Sequence, residues 1–337
     1  MQQTVSDIWK ESGNGPLNRY VFGQLWPAQA GAKAQDLITA WTRARPDLVI
    51  AECSDLGAHL AAQVLRLPLF AADNGLGPVL LSLWETDIQP SLTSLHKRLG
   101  QDTPPELPPL LVPAPLPWFY ETPPPSSRAV RRTVAEHRRA LPGAPTPTRS
   151  PASASASTSA SASRPLVYVS LGTLATAMPG LRTVVEKVYE EIIAALAGID
   201  CDVIVSAGDL AEHLRSAGPR VEIVEYVPQP VLLRSVDLFV THGGRASLLD
   251  AVESATPVLA MGVLGDQPDN AVAFARRGLG LALDLMATRE EIAGAVTTIL
   301  RSPHRAAAVS RAAAELSRLP ALDLTELRDT AASRDGG

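Results

Sequence analysis

The chain has 337 residues, with 30 Lys and Arg against 35 Asp and Glu and a formal net charge of −5. Hydrophobic residues make up 46% and charged residues 19%, enough apolar material for real cores in about two domains, which excludes a wholly disordered chain. The acidic balance argues against a nucleic-acid binder, and no stretch approaches the roughly 20 apolar residues of a membrane helix. The N-terminus, MQQTVSDIWKESGNGP, is polar and lacks the apolar core of a signal peptide. Cys53 and Cys201 fit no metal spacing. The expectation is a cytoplasmic protein with buried free thiols, no membrane and no nucleic acid among its partners.

In chain order, Ala30–Arg43 predicts a helix, Leu48–Ala51 a strand, Leu56–Leu65 a helix and Pro68–Ala72 a strand. Leu80–Leu99 reads as helical with a break at Pro90. Two strands are too few for a doubly wound domain, so residues 1–110 are expected to form an incomplete one. Prolines are then dense from Thr103 to Pro125, and the basic run Arg128–Arg139 reads as a solvated face. Residues 151–163 hold six Ser, five Ala, one Thr and one Pro. Such a tract buries too little to offset the entropy of ordering it, which predicts a flexible linker over 111–164. A second domain follows at 165–325, with a disordered tail at 326–337. Its predicted strands are Leu166–Leu171, Cys201–Ser206, Val221–Val224, Leu238–Thr241, Pro257–Ala260 and Gly280–Leu283. Helices are predicted at Leu181–Ala197, Ser247–Ser254, Asn270–Arg277, Thr288–Leu300 and Arg305–Leu319. Continuous apolar strands between amphipathic helices predict a parallel sheet covered on both faces, with ligands beyond the carboxyl ends of the strands.

Three pieces of the second domain point to one chemistry. The first is Leu238-Phe239-Val240-Thr241 leading through His242-Gly243-Gly244 into a helix. Its glycines let backbone N–H groups approach a phosphate, and the helix start favours negative charge. Ser247 could cap that helix or donate its hydroxyl to the phosphate. The second is Tyr226-Val227-Pro228-Gln229, which could present a ring, a backbone edge and an amide to a base and ribose. The third is Gly265-Asp266-Gln267, an acceptor beside a donor-acceptor, suited to sugar hydroxyls.

The run from Tyr226 to Ala271 resembles the donor-binding signature of the UDP-glycosyltransferase family, glycosyltransferase family 1, and most closely its bacterial natural-product and antibiotic (macrolide-type) branch. Val167–Thr173 is similar to the family's first strand and phosphate-facing loop in that domain, including Ser170, Gly172 and Thr173. Arg45–Glu52 and Leu60–Pro68 resemble its N-domain more loosely. The resemblance implies an α/β fold of the glycosyltransferase B architecture, two Rossmann-like parallel-sheet domains facing a cleft. Carried over, Tyr226 stands for the residue whose ring lies against the base, the Val227 backbone binds the base and Gln229 the ribose. His242, Gly243, Gly244 and Ser247 contact the diphosphate. Asp250 stands where the family has Glu as ribose ligand, and Asp266 and Gln267 hold the donor sugar.

This chain departs from the pattern at Ala246, Ala255 and Gly262. Arg245 would serve phosphate or point to solvent. The family's catalytic histidine, in its G-H-x-x-P context, is not found, and about 80 residues of a family N-domain, with three strands, are expected to be missing. Glu52 and Asp55 sit at a strand end where the family keeps an acidic residue. They are weak candidates for a base and read more simply as turn residues. His59 reads as helix surface, and His96, His137, His213 and His304 as surface residues. The implied function is inverting, metal-independent transfer of a hexose or deoxyhexose from a UDP- or TDP-sugar to a small hydroxylated acceptor, with no cofactor. The alternative is a nucleotide-sugar-binding but catalytically incomplete protein. That would be a truncated product, or one half of a split enzyme needing a partner chain, and its exposed sheet edge near Leu48–Ala51 or Pro68–Ala72 would be open to self-association.

Overall fold

Short apolar, β-branched runs form ten strands in the computed structural model, which describes residues 14–124, 126–132, 164–173, 179–215 and 218–332. The Ser/Ala tract and His137 lie outside the described residues. Two units divide the chain: residues 14–132 with 319–332, and residues 164–318.

The first unit holds β1 (Val49–Glu52), β2 (Leu69–Ala72), β3 (Leu110–Val112) and β4 (Arg128–Ala129), all parallel and in that order. Its main helices are α1 (Trp26–Arg43), α2 (Leu56–Val64), α3 (Gly77–Leu83) and α4 (Gln89–Arg98). On one side Val49, Ala62 and Leu67 cluster with Trp41 and Leu65.

The second unit carries β5 (Leu166–Ser170), β6 (Asp202–Ser206), β7 (Val221–Val224), β8 (Leu238–Thr241), β9 (Val258–Met261) and β10 (Gly280–Leu283). They form one parallel sheet in the order β10-β9-β8-β5-β6-β7. Every residue of β8 and β9 is buried, as strands covered on both faces require. Around it lie α5 (Pro179–Ala197), α6 (Arg245–Glu253), α7 (Gln267–Arg276), α8 (Arg289–Leu300) and α9 (Pro303–Ser317). The order reverses between β5 and β8, and the crevice at such a switch point is where an open α/β sheet takes its ligand. The predicted strands of this unit stand within a residue or two of their expected places.

The expected linker at 111–164 is corrected at its start. Residues 110–129 supply β3 and β4, and side chains hold the Pro-rich segment before them. Gln63 donates to the Glu106 carbonyl at 2.7 Å and accepts its N–H at 3.1 Å. Gln89 donates to the Pro105 carbonyl at 3.0 Å, and His96 Nδ1 bonds the Thr103 carbonyl at 2.8 Å. Proline has no N–H to offer a sheet, but its carbonyl still needs a donor, and distant side chains supply it.

The expected tail is corrected as well. α10 (Leu324–Ala332) is a helix of the first unit. The Asp323 carboxylate accepts the Thr325 and Glu326 N–H groups at 2.8 and 3.1 Å, as an N-cap does. Leu327 is buried with Phe70 and Leu111.

Candidate functional site

A cavity of about 620 Å³ opens in the second unit. It lies at the carboxyl ends of β5, β6, β7 and β8, and the motif residues converge there. Ser170, Gly172 and Thr173 come from the exit of β5. Tyr226, Val227 and Gln229 follow β7. His242 follows β8, Ser247 and Asp250 stand on α6, and Gln267 opens α7. Gly243, Gly244 and Asp266 stand close to lining residues in the chain but do not line the cavity themselves.

His242 is held between two glycines, Gly172 and Gly244. A Cβ on Gly172 would stand 2.8 Å from the imidazole, and one on Gly244 would collide with its Nε2. Gly172 also has φ +77°, where a side chain is strained. Burial pushes the His242 pKa down to about 4, partly opposed by a hydrogen bond to the Ser170 carbonyl. The free site thus holds a neutral ring with one N–H engaged.

Gln229 Nε2 donates to Asp250 Oδ2 at 2.9 Å and to Ser247 Oγ at 3.4 Å. Positions 247 and 250 are three apart, so both side chains share one face of α6. Tyr226 is 61% exposed, whereas Val227 is buried. Gln267 accepts the Val263 and Leu264 N–H groups through Oε1, each at 3.1 Å, so its carbonyl is engaged and its NH₂ is the group left to donate. Asn270 donates to Asp266 at 2.5 Å and to the Gly243 carbonyl at 3.3 Å, joining the two motif loops. Arg245 is buried, not solvent-facing.

Some cavity residues carry no signal in the motif. Tyr168 and Ser206 line it, although both read simply as strand residues. Burial pushes the Tyr168 phenol up to about 12, opposed by hydrogen bonds with the Ser170 and Ser206 hydroxyls, so it stays a neutral donor. The signal that could have found them is position at a strand's carboxyl end.

In the first unit Asp55 is a helix cap. One oxygen accepts the Ala58 N–H at 3.1 Å, and the other pairs with Lys33 at 2.7 Å. Glu52 is exposed at the end of β1 and accepts the Ser54 hydroxyl at 3.4 Å. His59 and His96 are buried, which corrects their reading as surface residues. Both lie on helix faces turned toward the core; His59 Nε2 bonds the Glu52 carbonyl at 3.0 Å, while its Nδ1 is buried without a hydrogen-bond partner among the described residues. Both cysteines are buried free thiols.

Burial lowers the His59 pKa to about 4, outweighing the pull of the Glu52 carbonyl and Asp55. An unfolded chain takes up that proton near pH 6.5, while the folded one resists until about pH 4. Stability from the neutral ring is therefore full above pH 6.5 and falls as the pH drops toward 4, by roughly 3 kcal/mol in all. Melting curves of wild type and His59→Gln over pH 4–8 check this. The gap between them should narrow as the pH falls, and a constant gap would refute it.

Among the described residues no helix is long and apolar enough to cross a membrane. None of them forms a group of three His, Cys, Asp or Glu placed to hold a metal.

Sheet order and the position of the cavity define the glycosyltransferase B fold. A solved structure of the glycosyltransferase VinC in complex with dTDP is similar to this chain at TM-score 0.69 and 20% identity, covering 99% of this chain and 82% of that one. The family profile described as UDP-glucoronosyl and UDP-glucosyl transferase matches residues 143–319. The chain belongs to this family. It is 32% identical over 143 residues to a zeaxanthin glucosyltransferase of Pseudescherichia vulneris, covering 41% of this chain and 33% of that protein. To the elloramycin glycosyltransferase ElmGT of Streptomyces olivaceus it is 34% identical over 128 residues, covering 35% and 32%. The chain spans about a third of the length of these curated relatives.

Proposed function

We propose that the cavity binds the nucleoside diphosphate end of a UDP- or TDP-sugar, and that the chain serves transfer of a hexose or deoxyhexose to a small hydroxylated natural-product-like acceptor, with inversion. The observation that carries this reading is the convergence of His242, Gln229, Ser247, Asp250 and Gln267 on one cavity at the sheet's switch point. The N-terminus of α6, His242 and the hydroxyls of Ser170, Thr173 and Ser247 would take the diphosphate charge as it develops on the leaving group, a role that needs no metal or cofactor. Gln229 and Asp250 would take the ribose, Tyr226 and Val227 the base, and Asp266 and Gln267 the sugar.

A second reading is a donor-binding protein without its own general base, completed by another chain. Two observations favour it. Asp55 is committed as a cap and ion pair, and His59 is buried against Glu52. Glu52, at the end of β1, is exposed. Loss of a general base typically costs about 10²–10⁴ in rate.

Calorimetric titration of the full chain with UDP and TDP tests the first reading, and saturable binding of either is expected. An acceptor screen with UDP-glucose and TDP-sugars then separates the two. Under the second reading transfer stays well below about 1 per second, the low end of ordinary turnover. Turnover at that rate or faster, lost in Glu52→Gln, would reject the second reading and make Glu52 the base.

A further inference from the structure

One buried hydroxyl ties the ends of the strands around the cavity. Tyr189 stands on α5, fully buried, and does not line the cavity. Its phenol oxygen accepts the Leu171 N–H at 2.8 Å and donates to the Ser206 carbonyl at 3.0 Å. Leu171 is the first residue beyond β5, where the ladder ends and its N–H needs another partner. Ser206 sends its own hydroxyl to the Glu225 carbonyl at 3.3 Å, directly before Tyr226. Gly208 donates to the same carbonyl at 3.0 Å. On the other side Gly172, next to Leu171, lies so close to the His242 ring that a Cβ there would stand 2.8 Å from the imidazole. A continuous line thus runs across four strand ends, from His242 through Gly172-Leu171, Tyr189 and Ser206 to Glu225-Tyr226.

We propose that Tyr189 is a positioning residue for this site. Its hydroxyl sets the Leu171-Gly172-Thr173 turn against His242 and, through Ser206, sets the Tyr226 side of the cavity. The aromatic ring alone would fill the same core space. The oxygen is needed because one N–H and one carbonyl, buried at the rim, have it as their common partner. Loss of such a partner leaves two polar groups unsatisfied, and the rim relaxes to regain them. The inference rests on the reading of the cavity as a nucleotide-sugar site.

The test is Tyr189→Phe in the full chain, titrated with UDP and with TDP. Amide hydrogen exchange at residues 171–173 is measured on the ligand-free protein. Val296→Ala, a buried position on α8 away from the cavity, is the control for lost stability alone. Both diphosphates are expected to bind Tyr189→Phe about five- to thirtyfold more weakly, and exchange at Leu171 is expected to quicken. The control keeps its affinity within about twofold while its melting temperature falls. Affinity of Tyr189→Phe within about twofold of wild type overturns the proposal, even if exchange quickens. Equal weakening in the control also overturns it. Wild type that binds neither diphosphate overturns the reading of the cavity, and this inference with it.

Discussion

Replacing His242 with alanine is expected to weaken binding of UDP or TDP by about 10- to 150-fold, the equivalent of one hydrogen bond to a charged group, about 1.5–3 kcal/mol. The ring lies against Gly172 and Gly244 at the end of β8, inside the lining of the cavity. Gly244→Ala should act in the same direction without removing the imidazole, since its methyl group would occupy the ring's place. The effect should also depend on pH. In the free site the ring is neutral, with a pKa near 4, and one N–H engaged by Ser170. Its Nδ1 stands 3.4 Å from the Thr241 hydroxyl, and protonation would give the ring a second N–H and a positive charge to offer a phosphate oxygen. An arriving diphosphate favours the protonated ring, so binding draws in a proton. Wild type should therefore gain affinity relative to His242→Ala as the pH falls from 8 to 6. Comparing the two proteins at each pH cancels titration of the phosphate itself. Equal affinities in the two proteins, or a ratio moving the opposite way, would remove His242 from the diphosphate site.

Deleting residues 319–337 is expected to unfold the first unit, although the deleted segment is remote in sequence from every strand of it. Leu327 on α10 is buried with Phe70 of β2 and Leu111 of β3, with Leu48 and Val130 packed alongside. Leu327→Ala alone should cost about 2–5 kcal/mol, as truncation of a buried leucine does. The whole helix covers more of that apolar face. The Arg131 N–H also donates to the Pro320 carbonyl at 2.7 Å, beside β4. The ion pair of Arg128 with Glu326 at 2.7 Å is largely exposed and should add little. Denaturant titration, followed by fluorescence of Trp84 and Trp118, reads this unit, since both tryptophans are buried in it. An unchanged midpoint for the deleted chain would show that α10 is an ornament of the fold.

What could be read from the sequence alone was what is written locally. In the second unit each strand is a short apolar run followed by a turn, and each helix repeats its apolar face. Period and punctuation therefore located β5–β10 closely. The site was legible for the same reason. His242-Gly243-Gly244, Tyr226–Gln229 and Asp266-Gln267 each lie within a few residues of the end of a strand, and the parallel sheet carries all such ends to one side.

Tertiary structure alone decided the rest. Residues 110–129 read as linker because proline density outweighed the three-residue run Leu110–Val112. Gln63, Gln89 and His96 hold the preceding segment, from about 7 to 43 positions away. α10 read as tail because its core partners, Phe70 and Leu111, are more than 200 residues back. His59 and His96 read as surface because a lone histidine on a helix does not reveal which face is buried. Tyr189 had no signal at all, since its two partners lie at the ends of different strands. A local pattern specifies a residue's periodicity and its turn. Which distant group meets a buried hydroxyl, carbonyl or leucine is settled only when the elements pack, because each unpaired polar group and each uncovered apolar face must find a partner somewhere along the chain.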